Sequence, residues 1–182
     1  MPTFQLTVLP YETPISGHYQ LILAPPAVER RLEAEECAEI IRWATILKDK
    51  YSPRLEVAAR RIIAAFSQRL DPADRLIDAV TAWESMFSAD QEAALRVTAS
   101  IAWLLELDAG ARDTLQRELN GIYKLRSSVV HGRKVDPVEV YNASRRASEV
   151  AIEALAGLLE QRPELIPDDP SVRSRRLLLG LS

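Results

Sequence analysis

The sequence predicts an all-α protein, an antiparallel helical bundle with a short strand-like arm at its N-terminus. From about residue 27 to residue 161 the chain is rich in Ala, Leu, Glu and Arg. Prolines in this stretch stand only where a helix is expected to begin, at Pro53, Pro72 and Pro137. Apolar residues recur there at helical spacing. With 182 residues, the chain is long enough for one domain and short for two.

The composition excludes several classes of protein. Hydrophobic residues make up 47% and charged residues 27%, with six glycines, which is typical of a globular domain and not of collagen-like, low-complexity or disordered chains. Because the chain has one cysteine, Cys37, and two histidines, His18 and His131, neither a disulfide framework nor a Cys/His zinc cluster is expected. We predict no metal and no cofactor.

The charge and the hydropathy of the chain limit its partners. A net charge of −3 argues against a general polyanion binder, so any nucleic-acid site must be local. No apolar run approaches the roughly 18 residues of a membrane span. The N-terminus lacks the pattern of a secretory signal. A cytoplasmic location without membrane association is therefore expected.

Three parts follow each other along the chain. Residues 1–26 are predicted to form an extended or β arm, because the β-compatible runs TFQLTVL and HYQLIL flank the turn-rich segment PYETPISG. Residues 27–162 are predicted to form the helical domain. Residues 163–182 carry three further prolines and a basic cluster, and are predicted to form a flexible tail.

Helical wheels indicate which faces of the first helices are buried. A helix near residues 54–70 presents an apolar stripe of Leu55, Ala59, Ile62, Phe66 and Leu70. The helix after Asp71 presents a second stripe of Leu76, Val80, Trp83 and Phe87. Glu84 lies at the edge of this stripe and is a candidate half-buried acid, whereas Asp78 lies on the opposite side and is predicted to be solvated. Residues 91–107 are apolar nearly all round, which places them in the middle of the bundle.

The most informative segment is residues 112–134. Arg126 lies at the centre of an apolar face made by Leu115, Leu119, Ile122, Tyr123, Val129 and Val130. A guanidinium does not lose its proton, so a buried arginine needs a carboxylate or a phosphate beside it. A narrow polar strip of Asn120, Ser127 and His131 borders this face. Gly132 is predicted to end the helix, which leaves His131 exposed in the last turn.

Each of these residues also has a purely structural interpretation. Arg126 can be the structural ion-pair partner of Glu84, and His131 can simply cap the helix. Tyr123 is more often a core residue than a catalytic one, and Ser127 a neutral surface residue. The Arg-x4-His spacing has little specificity on its own.

The decapeptide YKLRSSVVHG, residues 123–132, resembles the Y-x-x-R-S-x-x-V-H-G signature of Apea-like HEPN domains. Residues 75–87 are similar to the helix of this family that carries an acidic residue, and the resemblance extends over roughly residues 55–160. It implies an all-α bundle of about four or five helices, usually a homodimer. In many members of the HEPN superfamily the Arg and His motifs of two subunits face each other across a cleft that is a metal-independent endoribonuclease site.

The resemblance implies roles for individual residues. Arg126 and His131 match the R-x4-6-H pair, and Ser127 occupies the polar position after the arginine. Glu84 matches the acidic position of the earlier helix and is assigned as the partner that holds Arg126. Some toxins of the superfamily have a tyrosine two residues after the histidine, which nucleotidyltransferase antitoxins modify. This chain has Arg133 there, so that route of regulation is not expected.

These residues predict a mechanism and a partner. Metal-free RNA cleavage needs a base for the 2′-hydroxyl, an acid for the leaving oxygen and positive charge on the phosphate. In a dimer, His131 of one copy can act as the base and that of the other as the acid. Arg126 can bind the phosphate, oriented by Ser127 or Asn120. The neighbouring cations that can hold the RNA backbone are Lys124, Arg133 and Lys134.

Three functions compete at this point. The first is a HEPN-type endoribonuclease that cleaves RNA, as a toxin or phage-defence effector. The second is a non-catalytic module that dimerises and binds RNA. The third is a stand-alone version of a larger protein's regulatory domain. The sequence does not identify an antitoxin or defence-system partner.

Overall fold

The computed structural model describes residues 32–87 and 92–181. Within these ranges the chain forms helices and no strand, which confirms the predicted all-α class for this part of the protein. The predicted arm of residues 1–26 lies outside the described residues. The helices are α1 (Ala34–Lys50), α2 (Glu56–Ser67), α3 (Pro72–Phe87), α4 (Ala93–Leu105), α5 (Ala109–Val130), α6 (Pro137–Glu160) and α7 (Pro170–Leu178), with 3-10 turns at Pro53–Leu55 and Pro163–Leu165.

The chain divides into two compact units, residues 1–41 and 42–182. Of the first unit the structure describes residues 32–41, which include the first half of α1 and contain no buried side chain. The second unit contains the rest of α1 and helices α2–α7, and the following description concerns this unit. Among the described helices, none combines the length and the apolar character needed to cross a membrane.

Helix α3 is the centre of the bundle, because it contacts α2, α4, α5, α6 and α7. Its side chains are apolar on most sides, and the indole of Trp83 is fully buried and donates a hydrogen bond to the carbonyl of Ala147 at 3.1 Å. Helix α4 also packs on several neighbours, but it leaves Leu95 and Trp103 exposed. The prediction that residues 91–107 are covered all round therefore holds only in part.

Helix α2 packs on α3 through small side chains. Its buried residues are Ala58, Ile62, Ala64 and Ala65, whereas Phe66 and Leu70, which were predicted to belong to the buried stripe, are exposed. The helix ends at Ser67, so Leu70 lies beyond it. Alanines allow two helices to approach closely, and this packing turns the buried face of α2 away from Phe66.

The ends of α5 and α6 are fixed by local capping. The Asp108 carboxylate accepts a hydrogen bond from the backbone N–H of Ala111 at the start of α5, and Asp136 accepts one from Val138 at the start of α6. Pro137 occupies the first turn of α6. The two longest helices are therefore joined by a short connection that begins at His131.

The structure corrects the prediction of a flexible tail after residue 162. Residues 163–181 form a 3-10 turn and α7, which packs on α3 and α4. The guanidinium of Arg173 is fully buried and donates hydrogen bonds to four backbone carbonyls, those of Met86, Leu165, Ile166 and Asp168. Burial lowers the pKa of Arg173 to about 10, which leaves it a cation at neutral pH. Two of its three prolines, Pro163 and Pro170, begin helical elements instead of preventing them.

Candidate functional site

The candidate site lies where the last turns of α3 meet the second half of α5. The Tyr123 hydroxyl donates a hydrogen bond to Glu84 Oε1 at 2.5 Å. Arg126 Nη2 donates to the other oxygen of the same carboxylate, Oε2, at 3.3 Å. The structure thus brings together the three residues that the sequence placed on facing helices, with Glu84 as the shared acceptor.

The Glu84–Arg126 ion pair is half-buried and its hydrogen bond is long. The side chains of Arg126 and Glu84 are 22% and 25% exposed, because buried Leu119 and Ile122 flank the arginine on α5. A contact of 3.3 Å exceeds the usual N–H···O range of 2.7–3.2 Å. In addition, Arg126 Nε is buried without a hydrogen-bond partner among the described residues. A buried donor without an acceptor costs about 1–3 kcal/mol, so the contact with Glu84 does not fully satisfy this guanidinium.

Tyr123 is a hydrogen-bond donor at any physiological pH. Burial and, next to it, the hydrogen bond to the Glu84 carboxylate raise the pKa of Tyr123 to about 12. The phenol therefore keeps its proton and directs it at Glu84 Oε1.

His131 is the C-cap residue of α5 and its side chain is exposed. Its backbone N–H donates to the carbonyl of Ser127 at 3.1 Å. Gly132 adopts a φ of +65°, and the N–H of Arg133 closes the helix end on the carbonyl of Ser128, a Schellman motif. The helix thus ends where the sequence predicted. Within the described part of the chain, the imidazole has no hydrogen-bond or ion-pair partner.

The other predicted site residues precede His131 on α5 or follow it directly in the chain. Ser127 and Lys124 precede His131 on α5 by one and two helical turns, and Asn120 lies further along the same helix. Asn120 and Ser127 are half-buried, whereas Lys124, Arg133 and Lys134 are exposed. None of these side chains forms an ion pair or hydrogen bond with a described residue. Elsewhere arginines are commonly paired, as Arg146 is with Glu118 and Glu153.

The sequence analysis missed a second ionic cluster on α3. Asp78, predicted to be solvated, has a side chain only 3% exposed and accepts hydrogen bonds from Arg61 Nη1 and Arg69 Nε, each at 2.6 Å. The hydrogen bond to Asp78 raises the pKa of Arg69. The long arginine side chains reach over from α2 and from the turn after it. The available signal was the presence of Arg61 and Arg69 just before an acidic helix position, but a wheel for one helix does not show such a contact.

In residues 32–87 and 92–181, no group of three or more His, Cys, Asp or Glu side chains is arranged to hold a metal ion. The side chains of the candidate site are a half-buried arginine, an exposed imidazole and neighbouring exposed lysine and arginine side chains.

Comparisons of this chain with family models, with curated proteins and with solved structures found no match. The resemblance to Apea-like HEPN domains rests on the motif at residues 123–132 and on the acidic position at Glu84. The function is accordingly argued from the chemistry of these side chains.

Proposed function

We propose that this protein is a HEPN-type, metal-independent endoribonuclease whose site combines Arg126 and His131 of two copies. The observation that carries the proposal is the pairing of two features five residues apart. One is a half-buried arginine that Glu84 holds but does not fully satisfy. The other is an exposed histidine at the end of the same helix, whose imidazole has no partner among the residues that the structure describes.

The reaction requires a balanced proton transfer. One His131 takes the proton of the ribose 2′-hydroxyl, whose oxygen attacks the adjacent phosphorus. The bond from phosphorus to the 5′-oxygen breaks, and a protonated second His131 gives its proton to that oxygen. The products are a 2′,3′-cyclic phosphate and a 5′-hydroxyl. Arg126 stabilises the negative charge on the phosphoryl oxygens with donors already in place, and Ser127 or Asn120 orients the phosphate.

A second copy of the chain supplies what one copy lacks. Arg126 is directed into the bundle and His131 is exposed, and one copy carries a single histidine at the site. Three exposed apolar side chains lie near His131 along the chain. Val130 directly precedes it, and Val138 and Tyr141 lie in the first turns of the next helix, α6. Exposed apolar side chains next to a polar site favour association with another protein surface. We therefore propose a homodimer that joins the two α5 ends.

The unpaired cations beside His131 provide contacts for RNA. Lys124, Arg133 and Lys134 have no acidic partner in the described structure, so they are available for backbone phosphates. Binding through such contacts weakens as salt increases. Replacing Arg133 and Lys134 with Ala should weaken RNA binding and reduce its salt dependence, whereas the same substitutions at exposed Lys48 and Arg175 should not.

The decisive experiment is incubation of the protein with total RNA in the presence of a chelator. The wild type should cleave RNA, and His131→Ala should cleave about 100-fold more slowly or not at all, because general acid–base catalysis contributes roughly 10²–10⁴ in rate. His18→Ala, which changes the other histidine, is the control, and thermal melting checks folding. Equal cleavage by wild type and His131→Ala would refute the assignment.

Expression in a host tests the biological role. A cytoplasmic ribonuclease that acts as a toxin or phage-defence effector should slow growth, and its His131→Ala form should not. The competing function is a non-catalytic RNA-binding module, favoured by the fact that Glu84 already holds Arg126 and that the backbone of His131 closes the helix. Such a module would bind RNA without cleaving it, and His131→Ala would leave binding unchanged.

A further inference from the structure

The two oxygens of Glu84 have different donors. Oε1 accepts from the neutral phenol of Tyr123 at 2.5 Å, and Oε2 accepts from Arg126 Nη2 at 3.3 Å. Arg126 Nε is buried and has no partner among the described residues. A donor without an acceptor next to a carboxylate requires an explanation, because arginine and carboxylate normally pair through two parallel hydrogen bonds.

The tyrosine provides that explanation. A carboxylate has two oxygens, and a bidentate pair with arginine uses both of them. Tyr123 holds Oε1 at 2.5 Å and so fixes the orientation of the carboxylate, in which Arg126 reaches Oε2 by Nη2 alone and its Nε–H remains unpaired among the described residues. Tyr123 keeps its proton across the physiological range, so it holds Oε1 at any physiological pH.

We propose that Tyr123 is a positioning residue, which orients Glu84 so that Arg126 contacts it by Nη2 alone instead of through a bidentate pair, and so leaves the guanidinium loosely held and able to turn toward an RNA phosphate. This inference rests on the proposed ribonuclease function, and it assigns a role to a residue that would otherwise count as part of the core. Tyr123 itself does not need to contact RNA.

The first test is binding of a fluorescent single-stranded RNA oligonucleotide to the full chain in the His131→Ala background. Tyr123→Phe frees Oε1, so Arg126 should become bidentate and RNA should bind about tenfold more weakly, which corresponds to roughly 1.4 kcal/mol. Adding Glu84→Gln should restore binding, because a glutamine amide offers a single acceptor oxygen and cannot form the bidentate pair. Tyr51→Phe, at an exposed tyrosine, is the matched control and should bind as the parent does.

Rescue by Glu84→Gln separates positioning from direct contact or folding. If binding stays weak in the double variant, Tyr123 acts through RNA contact or through packing and the inference is overturned. Thermal melts of each variant confirm that the folded protein is being measured.

The second test does not depend on RNA. In the NMR spectrum of arginine side chains, the Nε–H signal of Arg126, identified by its loss in Arg126→Lys, should move downfield in Tyr123→Phe as Nε–H acquires an acceptor. An unmoved signal overturns the inference even if RNA is cleaved. A moved signal in a protein that neither binds nor cleaves RNA supports the competition for Glu84 but refutes the ribonuclease, so the two failures are distinguishable.

Discussion

Helix α3 carries two acidic residues, six positions apart, that both contact arginines from a neighbouring part of the chain. Asp78 is almost completely buried and accepts one 2.6 Å contact on each oxygen, from Arg61 and from Arg69. Glu84 is one-quarter exposed and divides its oxygens between Arg126, at 3.3 Å, and Tyr123.

The difference between the two clusters lies in how completely the charges are satisfied. At Asp78 both oxygens meet a cation at short distance, which is the pattern of a structural connection between α2 and α3. At Glu84 one oxygen is taken by a neutral group, and the arginine retains an unpaired donor. A buried ion pair alone therefore does not indicate function, and our proposal rests on the incompletely satisfied Arg126 together with the neighbouring cations that have no partner among the described residues.

The largest effect on stability is expected at Asp78, which we interpret as the centre of a structural ion cluster. Asp78→Asn should lower the free energy of unfolding by about 2–3 kcal/mol, because it removes two charge-assisted hydrogen bonds at a buried position. The measurement is equilibrium unfolding in urea. Asp113→Asn, which breaks the exposed pair with Arg117, should change stability by at most about 0.5 kcal/mol. Equal effects of the two substitutions would show that burial does not strengthen the Asp78 cluster.

A smaller effect is expected at the candidate site. Glu84→Gln should lower the free energy of unfolding by about 1 kcal/mol, because the contact to Arg126 is long and partly solvated while the tyrosine keeps an acceptor. The same urea experiment measures it. A loss as large as that of Asp78→Asn would make Glu84 a second structural connection and remove the contrast between the clusters.

The last effect is absent at neutral pH and appears only in alkaline solution, through Tyr123. Its pKa of about 12 in the folded protein exceeds the value near 10 of an unfolded tyrosine. The folded chain therefore holds this proton longer, so the stabilisation is fully present below about pH 10 and is lost as pH rises toward 12. The difference between wild type and Tyr123→Phe in an ultraviolet pH titration isolates this group.

The charge of Glu84 contributes to the raised pKa of Tyr123. In Glu84→Gln the pKa of Tyr123 should fall, since the hydrogen bond to a charged carboxylate is replaced by one to a neutral amide. A titration unchanged by Glu84→Gln would mean that burial alone sets the pKa, and that the phenol is not held by Glu84.

The sequence was informative where a single helix determines its own end and the exposure of its side chains. The helix end at Gly132, the exposed position of His131 and the half-buried position of Glu84 follow from helical periodicity and capping residues on a single element. The placement of Glu84 beside Arg126 required in addition that α3 and α5 be neighbours, which they are.

The sequence was misleading where contacts between two elements determine which side chains are buried. Asp78 is buried by arginines that extend from another part of the chain, and Phe66 is exposed because alanines of α2 face α3. The C-terminal segment was misjudged because its prolines mark helix starts, and because a buried arginine bound to carbonyls has no signature in composition.

The contact of Arg173 with the Met86 carbonyl has a consequence for the candidate site. Met86 lies two residues after Glu84, in the final turn of α3, so the C-terminal helix anchors the helix end that carries the acid. A chain cut before Pro170 would leave that carbonyl and the last turn of α3 unsupported. Removal of α7 would then weaken the position of Glu84 and with it the contact to Arg126, although no hydrogen bond or ion pair joins the described residues of α7 to Arg126 or His131.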